Sequence, residues 1–113
     1  MPSPAPTGSP SPTPLQLPAD ALPQIVDVQL SSMTLHGGDT FSGRVVTSTN
    51  VASLEVRMAG QSINVPRTDL GVFALTYQIP HIPFFARGNY TAQVIARNAK
   101  GDTAERDIPI ALR

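Results

Sequence analysis

The chain has 113 residues, 41% of them apolar and 14% charged, with no net charge at pH 7. That length carries one domain with a real core, and the neutral balance supplies no overall positive field for nucleic acid or anionic lipid to follow. Cysteine is absent, which excludes disulfides, thiolate metal sites and cysteine nucleophiles together.

The first 23 residues hold eight of the twelve prolines, mixed with Ser, Thr, Ala and Gly, and carry one charge, Asp20. Such a stretch has too little apolar surface to offset the entropy of ordering, and its Ser-Pro and Thr-Pro steps favour extended polyproline II. Residues 1–23 are therefore expected to be a linker and residues 24–113 the folded domain, with Leu15, Leu17 and Leu22 able to lie against it as a lead-in. Met1 runs directly into Pro-Ser-Pro, so no secretory signal is read at the start. No apolar run approaches the roughly 20 residues that a membrane-spanning helix needs.

From Gln24 onward the apolar period is two rather than 3.6. Ile25–Leu30 is a short β-rich run, and Thr40–Ser48 alternates with Phe41 and Val45 on one side. Ala52, Leu54, Val56 and Met58 share a face opposite Ser53, Glu55 and Arg57. Ser62–Val65 is a brief extended piece closed by Pro66, and Phe73, Leu75, Tyr77 and Ile79 alternate in the next run. In the last pair, Tyr90, Ala92, Val94 and Ala96 face one way, matched by Ile108, Ile110 and Leu112. Gly or Pro separates the runs at Gly37-Gly38, Gly60, Gly71, Pro80, Pro83 and Gly101. About seven short strands, each with one apolar face, predict an all-β, two-sheet sandwich.

The pattern Gly88-x-Tyr90-x-x-x-Val94-x-Ala96-x-Asn98-x-x-Gly101 resembles the penultimate strand and turn of PKD, fibronectin type III and related bacterial immunoglobulin-like domains. The Cys…Trp…Cys set of antibody domains and the Trp-Asp-Phe-Gly-Asp signature of typical PKD domains are both missing. The resemblance implies an immunoglobulin-like β-sandwich with a tyrosine corner. Tyr90 would bond backbone a few residues upstream and pin the crossover between sheets, with Phe84 as the apolar residue before it.

Chemistry-bearing patterns are sparse. His36 precedes Gly37-Gly38-Asp39 in a turn, and His81 sits between Pro80 and Ile82; neither lies near a strained serine elbow or at metal-ligand spacing. Asp102, Glu105 and Asp107 form no calcium loop, and no glycine-rich phosphate cradle occurs. The expectation is a domain that is not an enzyme and takes no cofactor or metal.

Two surfaces are candidates for recognition. The connection Ile79-Pro-His-Ile-Pro-Phe-Phe-Ala-Arg87 is unusually apolar for a loop, and its prolines reduce the entropy lost on binding. Either Phe84 and Phe85 plug the open end of the sandwich, or Ile82 and Phe85, with Arg87, form a rigid tip for a protein partner. The other surface is the outward face of the sheet made by the third, sixth and seventh predicted strands, where Glu55, Arg57, Gln93, Arg97, Glu105 and Asp107 alternate in sign. Function is expected to be that of a non-catalytic extracytoplasmic spacer or interaction domain of a bacterial surface or secreted protein, binding a protein partner or itself. The alternative is a carbohydrate- or wall-binding module of a secreted enzyme, which needs an aromatic platform.

Overall fold

Alternation of apolar and polar side chains becomes strand pairing along most of the chain. The computed structural model describes residues 13–113; residues 1–12, the opening of the Pro-rich stretch, lie outside the described residues. In chain order the strands are β1 (Ile25–Leu30), β2 (Thr34–Leu35), β3 (Thr40–Thr47), β4 (Val51–Met58), β5 (Gln61–Val65), β6 (Arg67–Asp69), β7 (Val72–Gln78), β8 (Gly88–Asn98) and β9 (Thr103–Leu112). They form two sheets, ordered β1-β3-β7-β6 and β2-β9-β8-β4-β5, which is the expected immunoglobulin-like sandwich. The predicted third, sixth and seventh strands are β4, β8 and β9, and they are adjacent in one sheet.

Two short strands carry too little pattern to be read from sequence. Thr34–Leu35 runs parallel to the end of β9, opposite Ala111 and Leu112, and Arg67–Asp69 forms a ragged edge on β7. One face assignment also shifts. A register irregularity between Val51 and Ser53 in the pairing of β4 with β8 hands the inward position to Val51, which is buried, and leaves Ala52 exposed. An extra residue in one strand reverses the faces on either side of it.

The ordered body begins upstream of Gln24, so the expected boundary cuts through a docked segment. The Leu15 amide donates to the Thr47 carbonyl (3.3 Å), and the Thr49 amide donates back to the Leu15 carbonyl (2.8 Å). Ala21 offers its carbonyl to Asn50 Nδ2 at 2.6 Å and to Asn98 Nδ2 at 2.9 Å. Ser48 is fully buried, accepts from the Gln24 amide on its hydroxyl (2.9 Å) and donates its own amide to the Gln24 carbonyl (2.9 Å). Gly71, with φ of 75°, makes room for this segment: a Cβ there would lie 2.6 Å from Pro14 Cβ and 3.0 Å from the Thr47 carbonyl. A side chain at residue 71 would therefore be both strained and in collision.

Packing is uneven along the strands. At the end beside this lead-in, Val45, Leu54, Phe73 and Ala96 are buried, with Leu54 and Phe73 each only 1% exposed. Following the same inward faces toward the other end, β7 passes from Phe73 through half-buried Leu75 to Tyr77, which is exposed. β4 passes from Leu54 to half-buried Val56 and Met58, β3 from Val45 to half-buried Phe41, and β5 from Val65 to exposed Ile63. The sandwich is closely packed at one end and looser at the other, the open end, where Leu35, Ile79, Ile82, Ala92, Ile108 and Ile110 stay buried but the facing positions of β3, β4, β5 and β7 are only partly covered.

Candidate functional site

The crossover from β7 to β8 lies at the open end and changes sheets over Ile79–Arg87. Its entry is tied to the turn before β3, since the Gly38 amide donates to the Ile79 carbonyl and the Ile79 amide to the Asp39 carbonyl, both at 2.8 Å. Gly37 presses closely on the same segment: a Cβ there would stand 3.0 Å from the Ile82 nitrogen. Pro83, with φ of −63°, then opens a single 3-10 turn, Phe84–Ala86, in which the Ala86 amide donates to the Pro83 carbonyl at 2.9 Å. From β8, the Tyr90 hydroxyl donates to the Ala86 carbonyl at 2.6 Å, four residues upstream. That bond has the geometry of a tyrosine corner and clamps the exit of the crossover to the second sheet.

The structure separates the side chains that the sequence grouped. Ile82 faces inward at 7% exposed, in the same core cluster as Leu35 and Ile79, and so is not part of an outward surface. Phe84 and Phe85 are 80% and 78% exposed, with ring centroids 5.8 Å apart in an edge-to-face pair. Phe84 is therefore not the buried partner of Tyr90, and neither phenylalanine plugs the sandwich. The physical reason is the turn. Ile82 sits in the extended stretch before Pro83 and takes the place in the core, whereas the tight turn swings the next two side chains outward. Arg87 is exposed and returns its Nε to the Ile82 carbonyl at 3.4 Å, which braces the base of the tip.

The polar face behaves differently. Glu55 accepts from Arg57 Nε (2.9 Å) and from Arg97 Nη1 (2.8 Å), while Gln93 Nε2 donates to Glu105 Oε1 at 2.8 Å. The hydrogen bonds from Arg57 and Arg97 hold the Glu55 carboxyl down to about 2 from its ordinary 4.5, against a smaller opposing effect of desolvation. Charges so paired within one face satisfy one another and leave few groups free for a partner.

The two histidines are both exposed, and His36 Nδ1 stands 3.4 Å from Asp39 in its own turn. Among the described residues, no group of three or more His, Cys, Asp or Glu side chains is placed to hold a metal. Nor does any helix there have the length and apolarity to cross a membrane. Lys100 is exposed in the β8–β9 turn. That turn is organised by Asn98, whose Oδ1 accepts from the amides of Lys100 (3.0 Å) and Asp102 (2.9 Å).

No family model matches the chain, and no curated protein matches it in sequence. Solved structures match it in fold. The PKD1 domain of a Vibrio cholerae metalloprotease superposes with a TM-score of 0.53 at 17% identity, covering 81% of this chain and 98% of that domain. A DUF4785 family protein from Legionella pneumophila gives a TM-score of 0.55 at 17% identity, covering 74% of this chain. The chain spans about a quarter of that protein's length (26%). A Niemann-Pick type C2 protein from the Japanese carpenter ant gives 0.53 at 11% identity, covering 82% of this chain and 94% of that one. Likeness at these identities is one of fold, and in fold the chain is a PKD-like, immunoglobulin-like β-sandwich.

Proposed function

We propose that the chain is a non-catalytic interaction domain, working outside the cytoplasm, whose contact surface is the Phe84–Phe85 tip. One observation carries this reading: two adjacent phenylalanines stand almost fully in water on a turn fixed by Pro83, by the Ala86–Tyr90 bond and by Arg87. Exposed aromatic side chains on a rigid support bind a partner with little ordering cost, and aromatic anchors are where interface energy concentrates. The Pro-rich stretch at the start supports the role of a tethered module by its composition. The fold supports it too, since the similar Vibrio structure is one domain of a metalloprotease and the similar Legionella protein is about four times the matched length. A carbohydrate-binding role fits less well, because the two exposed rings are 80° apart rather than coplanar and make no flat stacking platform.

The partner tested first is a second copy of the chain. Sedimentation velocity over a wide concentration range is expected to show mass rising with concentration, and a Phe84→Ser/Phe85→Ser variant is expected to stay monomeric. A wild-type chain that is monomeric at every concentration contradicts self-association through the tip.

A further inference from the structure

The parting of the two sheets leaves a space that the tip does not explain. Between them, at the open end, lies a cleft of about 740 Å³, lined on one side by Phe41, Leu75 and Tyr77 and on the other by Val56, Met58 and Ile63. Interiors of small domains are normally packed as densely as organic crystals, so a space of this size is not ordinary slack. Its volume falls within the roughly 300–1,000 Å³ of small-molecule sites. We propose that this inter-sheet cleft binds an elongated, uncharged apolar molecule of the lipid type.

Three features of the cleft select that class of ligand. First, no Asp, Glu, Lys or Arg is among the described residues that line it, so a charged group carried inside would have no partner. Second, the polar lining groups that are exposed to solvent, Gln61, Tyr77 and His81, stand where a neutral polar head would sit with its chain directed inward. Tyr90 also lines the cleft, but its hydroxyl is committed to Ala86, so it offers only its ring. Third, the space follows the strands: from Val45 to Phe41 is four residues of β3, or roughly 13 Å of extended chain. The space therefore has length along the strands. Gly43 also lines the cleft, at an inward position of β3 opposite Leu75. Glycine weakens a strand interior and tends to mark a place where something approaches the backbone closely. Here the room is taken by the chain's own Leu30 and Phe41, which a Cβ would approach to 3.3 and 3.5 Å, so these two side chains close over the backbone at the floor of the cleft.

The site is separable from the proposed contact surface, because Phe84 is absent from the cleft lining whereas Phe85 stands at its rim. The probe is N-phenyl-1-naphthylamine, a neutral fluorophore that brightens in apolar surroundings, titrated into the full chain. The expected result is saturable uptake of one probe per chain, displaced by oleyl alcohol. Leu75→Trp, which fills the cleft, abolishes uptake; Phe84→Ser leaves it unchanged. Tyr77→Glu, at an exposed position that tolerates the change, weakens uptake by roughly tenfold by placing a carboxylate that the seated ligand must desolvate. Circular dichroism of each variant confirms folding, and if Leu75→Trp fails to fold, Tyr77→Glu and Phe84→Ser decide the matter. The proposal is overturned by non-saturable uptake, by uptake indifferent to Tyr77→Glu, or by uptake that oleyl alcohol does not displace. It is equally overturned by loss of uptake in Phe84→Ser or as protein concentration rises, since a second copy would then occupy the space.

Discussion

The two ends of this sandwich solve opposite problems. At the closed end the inward side chains Val45, Leu54, Phe73 and Ala96 meet across the sheets, and a Pro-rich lead-in lies over the polar residues Thr47, Ser48 and Asn98. Each of those buried polar groups is met by backbone of the lead-in or of a neighbouring turn, as burial requires. At the open end Leu35, Ile79, Ile82 and Ile110 are still buried, but Tyr77 and Ile63 on the strands and Phe84 and Phe85 on the crossover remain exposed. What the contrast teaches is that a small sandwich can pack one end tightly and leave part of the apolar surface at the other available to a partner or ligand.

Paired substitutions break or sharpen that comparison. Phe73→Ala at the closed end is expected to cost about 3–5 kcal/mol, the range for removing a buried aromatic. Tyr77→Ala, two residues along the same face of β7, is expected to cost under about 1 kcal/mol. Urea denaturation of both variants checks this, and equal losses would mean that the sheets close along their whole length. Next in size is Asn98→Ala, expected to cost about 2–3 kcal/mol by removing one of the two donors to the Ala21 carbonyl and the acceptor of the turn amides of Lys100 and Asp102. Because the same side chain ties down the lead-in, protease cleavage before Gln24 should speed up in that variant, whereas wild type resists it.

The smallest expected effect concerns pH and the paired face of β4 and β8. Glu55 is depressed to about 2 in the folded chain from an ordinary 4.5. A carboxyl whose pKa falls on folding contributes stability that is complete above the unfolded value and is lost as pH drops toward the folded one. Stability should therefore decline as pH falls from about 4.5 toward about 2, and a Glu55→Gln variant should show a shallower decline. Denaturation midpoints measured across that window check the sign. An identical slope in the variant would remove Glu55 from the account.

How much of this could be read in the sequence depends on the kind of information each feature needs. The long strands follow from period-two alternation, which is local. The grouping of Glu55, Arg57, Gln93, Arg97 and Glu105 on one outward face follows from the same rule, as does the recognition of Tyr90 from its place before Val94 and Ala96. Other features depend on what lies across space. Alternation says which face of Leu75 and Tyr77 points inward, but not whether the opposite sheet is near enough to cover them. Ile82, Phe84 and Phe85 are equally apolar, and only the 3-10 turn after Pro83 decides which of them enters the core. Leu15, Leu17 and Leu22 suggest a lead-in, but how it docks stays hidden in a Pro-rich composition because its anchors are the backbone groups of Leu15, Ala21 and Gln24, met by Thr47, Ser48, Asn50 and Asn98. Backbone donors and acceptors leave no mark on residue choice. The bulge at Val51 likewise depends on pairing with β8 rather than on β4 alone.

The claim on which the functional reading rests is that Phe84 and Phe85 belong to the surface. Its most direct test is urea denaturation of the Phe84→Ser/Phe85→Ser variant at a concentration where the wild-type chain is monomeric. Removal of two exposed rings is expected to leave stability within about 0.5 kcal/mol of wild type, as for surface substitutions in general. A loss of about 3 kcal/mol or more would place the rings in the core and contradict the account.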